Sequence, residues 1–149
     1  MSFFEFINEM MSYISILAAI AIPAYQDYIA KSQVSEAFTL ADGLKTTIAT
    51  NRQNGSCFSD TSGKKATKGV EEIDGKYGKA TVLEQAATGT AGLVCGIHYK
   101  FNSKGVSDLL TNKEIVLKLD ETSGTLKLEN MASKTTSNEV KKYLPTAFK

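Results

Sequence analysis

Apolar positions along the first fifty residues follow a helical period. Phe3, Ile7, Met10, Ile14 and Leu17 recur at spacings of four and three, and Ala30, Val34, Ala37, Ala41, Leu44 and Ile48 repeat the same rhythm further on. This alternation lines one face of an α-helix. Glu5, Asn8, Ser12 and Ser15 fall on another face of the first stretch. The pattern predicts one helix from about residue 3 to about residue 52. Pro23 interrupts it, removing a backbone donor and crowding the preceding turn, so a kink is expected there. Asn54-Gly55 then supplies stop chemistry. Such a helix is about 75 Å long, far longer than a domain built from the remaining hundred residues. Half of it must project, and its apolar surface must be sheltered by lipid or by other copies of the chain.

Within this helix, Met10 to Gln26 carries no charge. Seventeen residues fall slightly short of the roughly 20 that span a bilayer. A buried core helix is the alternative reading. A secretory signal would carry a basic start, and no Lys or Arg precedes Lys31.

The period changes to two in the last third. Cys95, Ile97, Tyr99 and Phe101 alternate with Gly96, His98 and Lys100; Ile115, Leu117 and Leu119 alternate with Glu114, Val116, Lys118 and Asp120; Leu126 and Leu128 alternate with Lys127 and Glu129. Turn residues lie between them at Asn102-Ser103-Lys104-Gly105 and Asp120-Glu121-Thr122-Ser123-Gly124. An antiparallel meander of three to four strands is expected, covered by the apolar stripe of the second half of the helix in an α+β domain. The tail through Tyr143, Leu144 and Phe148 is expected to dock at a sheet edge. Between helix and strands, residues 55–93 are rich in Gly, Ser, Thr and Lys and are read as a long surface loop.

Composition narrows the function. The 149 residues suit one domain, with 42% hydrophobic and 22% charged residues. Seventeen basic against sixteen acidic side chains leave a net charge of +1, and Arg52 is the one arginine, which argues against a dedicated nucleic-acid binder. The two cysteines, Cys57 and Cys95, flank the long loop. A disulfide closing it would remove roughly 4 kcal/mol of unfolded-chain entropy and would place the chain in an oxidising compartment. Two unrelated free thiols are the alternative. Neither cysteine has a neighbour at zinc-ligand or redox-motif spacing.

No catalytic constellation stands out. His98 is expected on the outward side of its strand, as a surface histidine. Glu71-Glu72 reads as a solubility pair on a loop, and the Gly-Lys pairs match no phosphate-binding loop. Asn54-Gly55-Ser56 fits the glycosylation pattern, which is short enough to recur by chance. No enzyme, cofactor or metal is expected.

Residues Ile16-Leu17-Ala18-Ala19-Ile20-Ala21-Ile22-Pro23-Ala24-Tyr25-Gln26-Asp27-Tyr28-Ile29, followed by Lys31-Ser32-Gln33-Val34-Ser35-Glu36-Ala37, closely resemble the N-terminal helix of type IVa pilins. Leu40-Ala41-Asp42-Gly43-Leu44-Lys45 and Gly55-Ser56-Cys57 also look like major pilins of Gram-negative bacteria. The resemblance implies the pilin fold, with residues 1–29 as a projecting apolar half and 30–149 as a head. It implies a subunit that polymerises through its helix into a surface filament for adhesion and twitching motility. Ile16, Leu17, Ala18, Ala19, Ile20, Ala21, Ile22, Pro23, Ala24 and Tyr25 would then belong to the assembly helix. Before Ile16 the chain departs from the family. Counting back, the family's opening phenylalanine falls on Ser2 and its glutamate on Phe6, and the basic leader is missing. Glu5, one position away and close to Met1, is the candidate carboxylate for pairing with a neighbour's terminal amine, with Glu9, three positions away, as the alternative.

The partners implied are copies of the chain and the assembly machinery of the inner and outer membranes, with the receptor unspecified. The location implied is an extracellular pilus, reached through the inner membrane and periplasm. The alternative is a non-assembling, pilin-like adhesin or binding module whose polar Glu5, Asn8, Glu9 and Ser12 face keeps it soluble.

Overall fold

A computed structural model describes residues 2–88 and 92–148. Met1 therefore lies outside the described residues, as do positions 89–91 of the expected loop. Helix α1 runs unbroken from Phe3 to Arg52, with Pro23 inside it. Ser2 caps its start, because its hydroxyl accepts the Glu5 N–H (3.2 Å) while the Glu5 carboxylate accepts the Ser2 N–H (2.9 Å). This reciprocal pair satisfies donors that a bare helix end leaves open. Gln53 ends the helix, and Asn54 and Gly55 turn the chain away from it.

Five strands form one antiparallel sheet in chain order: β1 (Glu72–Asp74), β2 (Gly78–Ala86), β3 (Leu93–Phe101), β4 (Glu114–Asp120) and β5 (Thr125–Leu128). The α+β architecture is the expected one, but the sheet is wider than three to four strands. Residues 55–93 are not a plain surface loop, since β1 and β2 both lie within them. β2 escapes a hydrophobicity reading because two of its inward positions are Gly78 and Ala80. They are small for a reason. A Cβ on Gly78 would stand 2.4 Å from the Lys100 carbonyl oxygen and 2.7 Å from the Tyr99 ring.

The inner face of the sheet presents Val82, Cys95, Ile97, Tyr99, Phe101, Ile115, Leu117 and Leu119 to the α1 stripe of Ala30, Val34, Ala37, Ala41, Leu44 and Ile48. Three alanines in that stripe let the helix backbone come close to the sheet. The tail does more than meet a sheet edge. Ser137 bonds to the Glu114 backbone on β4, and Val140, Tyr143 and Leu144 join the core. Phe148 stacks on Phe38 of α1, with ring centroids 4.6 Å apart.

Candidate functional site

The two halves of α1 differ sharply. Tyr28 is 71% exposed and Ala30, two residues on, is completely buried. Among the described residues, every large hydrophobic side chain left exposed, apart from Val70, lies between Phe3 and Tyr28. Ile16, Leu17, Ala18, Ala19, Ile20, Ala21, Ile22, Pro23, Ala24 and Tyr25 all lie on this exposed half. The segment is long and apolar enough to cross a membrane, by length and composition. An apolar surface of this extent exceeds what a soluble monomer ordinarily leaves uncovered.

Several polar side chains of this half bond within the helix itself. Ser12 and Ser15 donate their hydroxyls to the Asn8 and Met11 carbonyl oxygens, one turn back. Glu5 is held by its bond to Ser2. Its carboxylate is thus already engaged, in a role that the S-x-x-E spacing signals and the sequence reading above did not draw on.

The rod meets the head at Gln33, which is nearly buried. Its side-chain oxygen accepts the Ser107 N–H at 2.8 Å and ties the β3–β4 connection to the helix. Below this neck, Cys57 and Cys95 are joined in a disulfide with both residues fully buried. The bond fastens the segment after α1 to β3.

Two carboxylates organise that same segment. Glu71 is fully buried, so its reading as a solubility residue is corrected. It accepts N–H bonds from Ser59 (2.8 Å) and Thr67 (2.9 Å) and an amide bond from Asn51 at the end of α1 (2.9 Å). Burial alone would raise its pKa, but the bonds from Thr67, Ser59 and Asn51 outweigh burial and hold the carboxyl below its ordinary value. Glu84 accepts from the Cys57 N–H (2.8 Å) and the Ser56 hydroxyl (3.1 Å). A buried carboxylate ringed by backbone donors leaves no hydrophobic period, and only the turn-forming composition around Glu71 could have hinted at it.

His98 also departs from expectation. It is 8% exposed, and its Nε2–H donates to the Glu114 carboxylate at 2.8 Å. It is on the outward face of the sheet as predicted, but the C-terminal segment covers that face. Among the described residues, no group of acidic, histidine and cysteine side chains is arranged to hold a metal ion.

A family model described as pilin, a bacterial filament protein, matches residues 30–149. A fimbrial protein of Moraxella nonliquefaciens is 63% identical over 141 residues, covering 94% of this chain and 90% of its own length. A type IV major fimbrial protein, FimA, of Dichelobacter nodosus is 41% identical over 152 residues, covering 94% of this chain and 89% of its own. A second FimA from strain VCS1703A of that species is 39% identical with nearly the same coverage.

Proposed function

The chain belongs to the pilin family of bacterial filament proteins, as a non-enzymatic structural subunit of the type IV pilus outside the cell, and on that premise we propose that it polymerises through the exposed half of α1. One observation carries this reading: large apolar side chains stand uncovered from Phe3 to Tyr28, while from Ala30 onward the apolar face of α1 is buried on the sheet. Residues 1–29 are the projecting assembly half and residues 30–149 the head. In the filament, neighbouring copies shelter Ile16 to Tyr25 from water, and the hydrophobic effect supplies the driving force. Before assembly, the same segment holds the subunit in the inner membrane, and its length and composition support that route. The subunit then reaches the surface through the periplasm with the help of inner- and outer-membrane machinery. The disulfide fits this oxidising route. The filament serves adhesion and twitching motility.

Glu5 is the carboxylate available for a neighbour's terminal amine, at the expense of its bond to Ser2. A charged substitution in the rod separates assembly from folding. Ile20→Asp should leave the head folded and disulfide-bonded, and should abolish recovery of the protein in filaments sheared from the cell surface. Normal filament yield from Ile20→Asp would overturn the proposal.

A further inference from the structure

The outer face of the sheet, turned away from α1, has a buried layer of its own. Val116 and Met131 are buried there yet belong to no part of the helix-facing core. Gly96 and His98 on β3 lie opposite Lys118 and Val116 on β4, and Lys100 lies opposite Glu114. Residues 130–137 cross this face as a strap. The Met131 sulfur packs on Gly96, and the Ala132 N–H donates to the Gln85 side chain on β2 at 2.6 Å. The Thr136 hydroxyl accepts the Val116 N–H at 2.9 Å. Ser137 exchanges bonds with Glu114, donating its N–H to the carbonyl oxygen and accepting the Glu114 N–H on its hydroxyl, both at 2.9 Å.

The strap is itself under tension. Met131 and Lys134 bridge across a tight turn whose two central residues, Ala132 and Ser133, have φ of 49° and 62°. L-residues other than glycine adopt this region reluctantly, and two in succession need their surroundings to hold them. His98 lies within the layer the strap covers, and its ring bonds to Glu114.

We propose that residues 130–137 form a pH-gated strap, closed over the outer face of β3 and β4 while His98 is neutral and loosened when His98 takes up a proton. The charged groups facing His98 are Glu114 on β4, Lys100 on β3 and Lys134 on the strap. Burial opposes the charged ring most strongly; Glu114 favours it, and the two lysines disfavour it. The balance holds the His98 pKa below its ordinary value. The closed strap therefore binds protons less readily than the open one, and closure weakens as pH falls through the histidine range. A single proton limits the effect to about tenfold per pH unit in the opening equilibrium.

The test uses the full chain in detergent between pH 8 and pH 5.5. Amide hydrogen exchange, corrected for the intrinsic pH dependence of exchange, should show Val116, Thr136 and Ser137 opening several-fold more at pH 5.5 than at pH 8. Amides of the helix-facing core should not change. His98→Gln keeps a polar side chain that cannot charge, and should remove the difference. Met131→Ala, which thins the cover, should raise the His98 pKa read from its ring proton shifts, because coupling between strap and proton is reciprocal. An equal pH response in wild type and His98→Gln would overturn the proposal, as would a His98 pKa unmoved by Met131→Ala. Neither result would bear on assembly through α1, which involves the opposite end of the molecule.

Discussion

Residues 3–29 and 30–52 belong to one helix and to two environments. Both carry apolar positions at spacings of three and four, yet the first half leaves its large side chains exposed and the second is the spine of the core. The contrast shows that helical periodicity states which face needs a partner without stating where the partner is. In the second half the stripe is narrow and alanine-rich, as suits a sheet 10 Å away or less. In the first half large exposed side chains cover a much wider arc, from Phe3 and Phe4 through Ile16, Leu17 and Ile20 to Tyr28, and leave one polar face to Glu5, Asn8, Ser12 and Ser15. A helix apolar over most of its circumference needs surroundings on most sides, and a bilayer or a ring of identical helices offers them.

The comparison can be broken most forcefully below the second half, at the disulfide. Replacing both Cys57 and Cys95 by alanine should lower head stability by about 4 kcal/mol, from lost closure of the intervening chain, and should be seen as a large fall in the thermal midpoint. It should leave the apolar rod unaltered. Paired truncations then sharpen the contrast between the halves. Ile48→Ala, on a fully buried side chain, should cost about 3 kcal/mol. Ile20→Ala on the exposed half should change subunit stability by less than about 0.5 kcal/mol, as read by chemical denaturation in detergent. An effect smaller than that of Ile48→Ala is expected at the junction of helix and loop. Glu71→Gln turns an amide N–H group towards a ring of donors and should cost about 2 kcal/mol. Because the folded pKa of Glu71 is depressed, its contribution is fully present above the ordinary value of 4.5 and is lost as pH falls below that. Stability should therefore drop in acid for the wild type, and less steeply for Glu71→Gln.

How far the sequence revealed these features depended on the kind of interaction. The helix was legible from end to end because its signal is repeated over fifty residues, and the apolar surplus followed from length alone. Strands β3, β4 and β5 were legible because large residues alternate along them. Strand β2 was not, since Gly78 and Ala80 fill inward positions that a reading by hydrophobicity assigns to a loop, and β1, at 3 residues, is too short to show a period. Glu71, Glu84 and His98 were hidden for a different reason. Their burial depends on hydrogen bonds from residues remote in sequence, such as Asn51 to Glu71 across twenty positions. The cover over His98 comes from the strap at residues 130–137, which has no period of its own.

The assembly role of the rod is tested most directly by its accessibility in the filament. A cysteine placed at Ile20 should react freely with a water-soluble maleimide in detergent-released subunits and should be protected in filaments sheared from cells. A cysteine at Lys104 on the head, on the exposed turn after β3, serves as the reference. Protection at position 20 with full labelling at position 104 is the predicted result. Equal labelling of both positions in intact filaments would contradict the account.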